Sequence, residues 1–290
     1  MLLVLLAAML WGTTGTAQSF APASFSPYWV GALRLLMASL FFVALYALLP
    51  RTAGPASALH WPRLLLCALC MAVYNLAFFA GLQRVGVGFG TAVALGSSPV
   101  WAGLLQALLQ RRWPRPLWWL GTAIGVFGGF VMGMGKSGAW QLSLSGIGLC
   151  LLAGLTYGAY AVVSQPLVRS AGVPRVNAWV FGGAAALSLP IAAAVTGGGP
   201  SMEGSSWIVV LYLGVIATGV SYLLFSTGLR TVSAATSVAL SKFEPITAFV
   251  LSIVVVGEAP TWLAVGGLAL VLLGLWLVVR SEMHTDRHTR

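Results

Sequence analysis

Three charged side chains carry most of the chemical interest in this sequence, because each lies inside a run of apolar residues: Arg34, Lys242 and Glu244. A charge at the centre of a hydrocarbon layer costs roughly 2.5–3.5 kcal/mol on insertion scales, so it marks a substrate path or a structural ion pair. Lys242 and Glu244 flank Phe243, just before Pro245. Residues two apart on a helix are turned roughly 200° from each other, so these two cannot serve one face. Pro245 has no N–H, which frees the Ser241 carbonyl; with the Ser241 hydroxyl it would line a cavity. Two bases against one acid suit a ligand that carries a carboxylate. Lys242 is the expected partner of that carboxylate, with water beside it when no ligand is bound. For Glu244, pairing with Arg34 or Lys242 as a structural ion pair is the competing role.

Polar and aromatic residues gather on shared helix faces. Trp11, Thr14 and Gln18 align, as do Asn75, Phe78, Phe79 and Leu82; Ser97 and Trp101 flank Pro99; Tyr157, Tyr160 and Ser164 form a fourth set and Thr218, Tyr222 and Phe225 a fifth. Trp and Tyr in mid-run need partners for their polar tips, which favours a cavity, although such rings also pack helix against helix. The candidate substrate-binding residues are therefore Trp11, Asn75, Phe79, Trp101, Tyr157, Tyr160, Tyr222, Ser241, Lys242 and Glu244. The expectation is a wide pocket walled by aromatic rings, with Trp101, Tyr157 and Tyr222 lining it and Asn75 beside them.

Enzyme chemistry finds no footing. There is no P-loop, carboxylate pair or Ser/His/Asp set, so neither catalysis nor ATP-driven pumping is expected, and no cofactor. His60, His284 and His288 have no partners at metal-ligand spacing. Cys67 and Cys70 form a C-x-x-C inside an apolar run, and with Cys150 they read as small hydrophobes, so no metal is expected.

The elements that position these groups follow from composition. Of 290 residues, 59% are hydrophobic and 7% charged, where a soluble domain carries about a quarter charged. Apolar runs fall near 2–18, 27–49, 62–83, 88–110, 117–134, 143–164, 176–196, 205–226, 232–256 and 261–279, with Pro or Gly between many of them. Runs of about 20 residues cross a bilayer as helices, so the fold class is an all-α integral membrane protein with ten transmembrane helices. An even number of spans places both termini on one side. The gaps on that side hold eleven basic residues (Arg51, Arg63, Arg111, Arg112, Arg115, Arg169, Arg175, Arg230, Arg280, Arg287 and Arg290), and the opposite side holds two, Arg84 and Lys136. Positive charge stays inside, so both termini are expected in the cytoplasm, and the net charge of +10 needs no nucleic acid to explain it. Outer gaps carry Glu203 and Glu258 instead. Trp29, Trp61, Trp113, Trp118, Trp119, Trp207 and Trp262 lie near span ends and read as the interfacial belt. Gly121, Gly125 and Gly129 repeat every four residues, as do Gly154 and Gly158, so helix backbones can approach closely there. The fifth and tenth spans read as packing or dimer helices.

The halves match at an offset of about 146 residues: Trp11-Gly12 against Tyr157-Gly158, Gly81-Leu82 against Gly228-Leu229, Pro99 against Pro245, Pro114 against Pro260, and Gly121 and Gly129 against Gly266 and Gly274. This predicts a five-helix repeat over 1–136, a second over 137–282, and a short cytoplasmic tail over 283–290. Five spans are an odd number, so the second repeat is inverted, and inverted repeats bind substrate near the midplane and work by alternating access.

Glu244-Pro245, then Gly257-Glu258-Ala259-Pro260-Thr261, then Gly266-Gly267 and Gly274, resemble the end of an EamA repeat of the drug/metabolite transporter superfamily; Trp11-Gly12 and Arg34 also fit its pattern. The resemblance spans nearly the whole chain. It implies a secondary carrier or facilitator in the cell inner membrane that exports small metabolites, mostly amino acids. The aromatic-rich interior and basic balance are similar to the YddG-type exporters of aromatic amino acids. Expected partners are a small-molecule substrate and membrane lipid, with the chain a monomer or homodimer. A channel-like protein and an exporter of cationic drugs are the alternatives; the repeat disfavours the first and the excess of intramembrane base the second.

Overall fold

The structure, a computed structural model, describes residues 1–22, 24–49, 59–134, 143–200, 202, 204, 206–255, 257 and 259–286. Among them every regular element is helical. Ten segments follow one another: α1 Leu2–Gln18, α2 Pro27–Leu48, α3 Trp61–Val85, α4 Val87–Gln110, α5 Pro116–Met134, α6 Leu144–Ala171, α7 Val173–Thr196, α8 Ser206–Gly228, α9 Ala234–Val254 and α10 Trp262–Asp286. All but α1 have the length and apolar character of a membrane span. α1 is shorter and is interrupted at Thr13, whose hydroxyl donates to the Leu10 carbonyl at 2.6 Å. Large apolar side chains such as Leu65, Leu108, Phe127 and Val254 face outward, as lipid-facing positions do. The expected loop charges Arg51, Lys136, Glu203, Glu258, Arg287 and Arg290 lie outside the described residues.

The two five-helix halves pack by a reciprocal rule. α3 rests on α6 and α8 on α1; α4 rests on α6 and α9 on α1; α2 meets α7, and α5 meets α10. Glycines show the symmetry at atomic detail. A Cβ on Gly158 would meet Ser98 O and Ala102 N, both at 3.0 Å, and one on Gly12 would meet Glu244 O at 2.7 Å and Ala248 N at 3.1 Å. The three differences, 158−12, 244−98 and 248−102, all equal 146. So each half presses a helix of small residues onto the other in the same way, about a two-fold axis. α5 and α10 touch backbone to backbone: a Cβ on Gly128 would lie 2.7 Å from Gly267 O, and one on Gly121 would lie 2.8 Å from Gly274 O. These two contacts exchange under the two-fold axis when Gly121 is the repeat equivalent of Gly267 and Gly128 of Gly274, one residue away from two of the matches read in the sequence. Gly129, expected in the glycine row, has open space around its Cβ position. The glycine faces of α5 and α10 are thus spent on each other within one chain.

Two further expectations change. α6 continues to Ala171 instead of ending near 164. Pro166 removes the N–H that would bond Val162 O, but the Gln110 side chain donates to that carbonyl at 3.3 Å, so the helix survives its proline. Trp29 and Trp118 are buried rather than interfacial. Trp29 Nε1 donates to Thr196 Oγ1 at 2.9 Å, tying α2 to α7, and Trp118 fills the space above Gly103. Trp61, Trp113, Trp207 and Trp262 are exposed, as a belt requires.

Candidate functional site

The repeat equivalents Trp11 and Tyr157 face each other edge-on, with ring centroids 6.2 Å apart, so the two-fold axis runs between them. Around that pair the rings continue. Trp11 meets Tyr222 at 5.1 Å and Phe225 at 5.3 Å; Tyr157 meets Tyr74 at 5.4 Å; Tyr222 meets Tyr160 at 5.8 Å and Phe181 at 4.8 Å. The cluster draws on α1, α3, α6, α7 and α8. Its rings pack edge to face or tilted against one another and do not stand apart as the walls of a wide pocket.

Charge enters from α2 and α9. The Arg34 guanidinium sits over the Phe79 ring, 5.9 Å from its centroid, and donates from Nη2 to Asn75 Oδ1 at 3.2 Å. Gly31, one turn before Arg34, makes this possible, since a side chain there would strike both Asn75 and Phe79. Arg34 Nε and Asn75 Nδ2 are buried with no hydrogen-bond partner. Glu244 lies within electrostatic reach of Arg34, Lys242, Tyr74 and Tyr157. Among the described residues no side-chain hydrogen bond or salt bridge engages Glu244 or Lys242. The structure therefore places a cation, an acid and two unpartnered donors beside an aromatic cluster on the axis between the halves.

Local backbone irregularities aim these groups. α9 tightens into a 3₁₀ turn over Ser241–Phe243, and the Ser241 carbonyl accepts the Glu244 N–H. The carbonyl that Pro245 releases is thus taken up again and does not line a cavity. The Ser241 hydroxyl donates to Ser237 O at 3.2 Å and bonds the Tyr157 hydroxyl, also at 3.2 Å. α8 widens into a π-helix over Tyr212–Val220, with Thr218 Oγ1 donating back to Leu213 O at 2.7 Å. π stretches within α-helices recur at functional sites. Here Gly214 seats against Met37 and the Arg34 carbonyl, which brings α8 and Tyr222 up to the helix that bears Arg34.

The two sides of the cluster differ. Toward the termini, Tyr160, Phe181, Phe225 and Leu229 are fully buried. Polar bonds cross the helices there: Asn177 Nδ2 donates to Ser226 Oγ at 3.1 Å, and Gln165 Nε2 donates to Leu229 O at 3.0 Å and Val232 O at 2.8 Å. Toward the opposite side, Trp11, Arg34, Tyr74, Phe78 and Glu244 are only half-buried.

Of the residues singled out from the sequence, Trp11, Asn75, Phe79, Tyr157, Tyr160, Tyr222 and Ser241 come together here, with Glu244 at the edge. Trp101 and Lys242 do not join them. Trp101 lines a separate pocket between α4, α5 and α6, and Lys242 turns away from Glu244 toward α4, α5 and α10, beside Pro99, Thr122 and Gly274. Arg34, Tyr74, Phe181 and Gln165 complete the arrangement but were not among the candidate site residues. Arg34 carried its own signal, an isolated intramembrane cation. Tyr74 and Phe181 are ordinary residues of apolar runs, and Gln165 is recognisable only once α6 is known to continue past Pro166.

The chain matches the family model for the EamA-like transporter family over residues 1–134 and again over 144–280. It is 33% identical to the uncharacterized transporter YwfM of Bacillus subtilis over 293 residues, covering 96% of this chain and 92% of that one. It is 25% identical to a probable terminal-alkyne amino-acid exporter of Streptantibioticus cattleyicolor over 231 residues, covering 78% of this chain and 75% of the relative. A protein of known crystal structure shares the fold, with a TM-score of 0.80 at 20% identity over 98% of both chains.

Proposed function

The chain belongs to the EamA-like transporter family, a multi-pass membrane transporter and not an enzyme, and on that premise we propose that it exports amino acids, aromatic ones included, by alternating access. One observation carries this reading: Arg34 Nε and Asn75 Nδ2 are buried donors without acceptors, set beside aromatic rings and within reach of an acid. A buried donor left unsatisfied costs about 1–3 kcal/mol, and a hydrogen bond to a charged group contributes about 1.5–3 kcal/mol. A substrate carboxylate would satisfy both donors at once. The ammonium of the same zwitterion would then face Glu244, and its side chain would lie against Trp11, Tyr157 and Tyr222. The name of the Streptantibioticus relative agrees with this substrate class.

The burial pattern supports alternating access. The site lies on the axis between the halves, where exchanging the two packings would move the opening from one side to the other. The half of the molecule nearer the termini is closed by the Gln165 and Asn177 bonds, and the other half leaves Arg34 and Glu244 partly exposed. The surplus of basic residues on the terminal side supports cytoplasmic termini in a cell inner membrane. A cationic-drug exporter fits less well, because Arg34 and Lys242 both act electrostatically on Glu244, the intramembrane acid that such a cation would need.

Counterflow in proteoliposomes tests the proposal. Vesicles loaded with phenylalanine should take up labelled phenylalanine against its gradient and ignore labelled quaternary amines. Uptake of the amines, or linear uptake with no counterflow, would refute it.

A further inference from the structure

The link from α8 to α9, on the side of the termini, is held by three side chains from other helices. From α6, Gln165 Nε2 donates to Leu229 O at 3.0 Å and Val232 O at 2.8 Å. From α4, Gln106 Oε1 accepts the Ala235 N–H at 2.9 Å, and its Nε2 donates to Arg112 O at 3.4 Å. From α10, the Glu282 carboxylate accepts the Thr236 hydroxyl at 2.7 Å and the Ser233 N–H at 3.4 Å. Leu229, Val232, Ala235 and Thr236 are buried, so the backbone groups here depend on these partners. The anchors cross a boundary. Helices α3, α4 and α6 pack as one bundle and α1, α8 and α9 as another. Gln106 and Gln165 both reach from the first bundle to the link of the second, so parting the bundles on the side of the termini must break both sets of bonds.

The repeat does not reproduce this clasp on the opposite side. At the offset of 146 the counterparts of Gln106, Gln165 and Glu282 are Ser252, Ser19 and Lys136. A serine hydroxyl reaches one atom past Cβ where a glutamine amide reaches three. The Ser252 and Ser19 hydroxyls donate within their own segments, to Phe249 O at 3.0 Å and Thr16 O at 2.8 Å. A lysine ammonium only donates, so it cannot receive a backbone N–H. The corresponding start of α4 follows Gly86, with no side-chain cap. We propose that the clasp gives the carrier a one-sided bias, in which the state closed toward the termini is favoured over its mirror image and Gln106 and Gln165 set the difference. This rests on the alternating-access reading above. Bonds made in one state alone weight the equilibrium toward that state. Substrate arriving from the side of the termini then meets only the minor fraction of carriers open to it, and its apparent affinity there falls by that fraction.

A thiol placed in the link reads the clasp without any substrate. Val232→Cys is a small change at a buried position, and its reaction with a water-soluble maleimide is followed in the full-length protein in lipid nanodiscs, with the same proteins lacking Val232→Cys as the baseline for the three native thiols. Gln165→Leu and Gln106→Leu each strand backbone groups in the closed state alone, so each should speed the reaction about tenfold. The two lie on different helices, so a folding failure of one leaves the other to decide. Ser19→Ala and Ser252→Ala should leave the rate unchanged. Phenylalanine transport in membrane vesicles of each orientation gives the second readout: Gln165→Leu should lower the half-saturation concentration severalfold on the side of the termini and raise it on the other. The proposal is overturned if both glutamine variants react at the unmodified rate, if Ser252→Ala speeds the reaction as much as they do, or if half-saturation rises on both sides, which marks a purely structural role. Faster thiol reaction with no phenylalanine transport by any variant or by wild type would support the clasp and refute the substrate reading.

Discussion

Gly31→Ala offers a sharp test of how the central site is built, because it adds one methyl to a helix and touches no candidate substrate atom. The new Cβ would stand 2.7 Å from Phe79 Cε2 and 2.9 Å from Asn75 Oδ1, where ordinary contact begins at 3.4 Å. Relief requires a shift of at least 0.5 Å at the amide (3.4−2.9 at Oδ1, with Nδ2 nearer still) and 0.7 Å at the ring (3.4−2.7). Either Asn75 retreats or α2 and α3 part. A retreat of that size stretches the Arg34–Asn75 bond from 3.2 Å to roughly 3.7 Å, beyond hydrogen-bond range. A hydrogen bond to a charged group contributes about 1.5–3 kcal/mol, and about 1.4 kcal/mol is tenfold. The half-saturation concentration for phenylalanine should therefore rise about 10- to 100-fold. Helix propensity works in the opposite direction, since Ala is favoured over Gly by about 0.5–1 kcal/mol, so loss of the helix is not the cause. Gly15→Ala, with open space around its Cβ position, is the matched control. The assay is phenylalanine counterflow at equal reconstituted protein. Adding Asn75→Ala to Gly31→Ala should remove the amide part of the clash and leave the ring contact, so the loss in the double variant should be smaller than the sum of the two single losses. Wild-type kinetics in Gly31→Ala would refute the reasoning, and so would additive losses in the double variant.

Other predictions follow from the same contacts. Gly274→Ala places a Cβ 2.5 Å from Gly125 N and 2.6 Å from Gly121 O, backbone atoms that cannot yield; it should destabilise the purified protein by about 1–3 kcal/mol in denaturation, whereas Gly129→Ala should not. Pro166→Ala restores an N–H facing Val162 O and competes with Gln110, so it should leave stability near wild type, whereas Gln110→Leu should lower it by about 1 kcal/mol. Single cysteines at the exposed His60 and Gly198 should label from opposite sides of the membrane against the three buried native thiols; labelling from one side only would break the ten-span count. Trp11→Ala removes a ring that touches Tyr157, Tyr222 and Phe225, and counterflow of phenylalanine should fall more than that of alanine.

The fold was legible in the sequence because lipid imposes a one-dimensional rule, in which long apolar runs must be helices, and because a repeat leaves matched residues such as Trp11 and Tyr157. Helix ends were less legible where a side chain from elsewhere overrides a local signal. Pro166 looks like a stop until Gln110 is placed beside it. The opposed directions of Lys242 and Glu244 follow from helix geometry alone, but which of them faces the rings depends on the packing of α9 between both halves. Trp101 looked equivalent to Tyr157 and Tyr222 by type and depth; its helix turns it to the far side of α4. Trp29 and Trp118 sit at span ends yet are covered by neighbouring helices, a tertiary fact that no spacing records. The π stretch of α8 lies against α2 at Gly214 and Gly219, and those two glycines are its trace in the sequence.

The central claim is that Arg34 reads the carboxylate of a zwitterion whose side chain lies among Trp11, Tyr157 and Tyr222. Its most direct test is the ratio of half-saturation concentrations for phenethylamine and phenylalanine, which differ only in that carboxylate, in wild type and in Arg34→Gln. From about 1.5–3 kcal/mol for a charged hydrogen bond, wild type should favour phenylalanine by about tenfold or more, and Arg34→Gln should bring the ratio close to one by weakening phenylalanine alone. Equal weakening of both compounds, with the wild-type ratio kept, would show that Arg34 holds the fold and does not read the substrate.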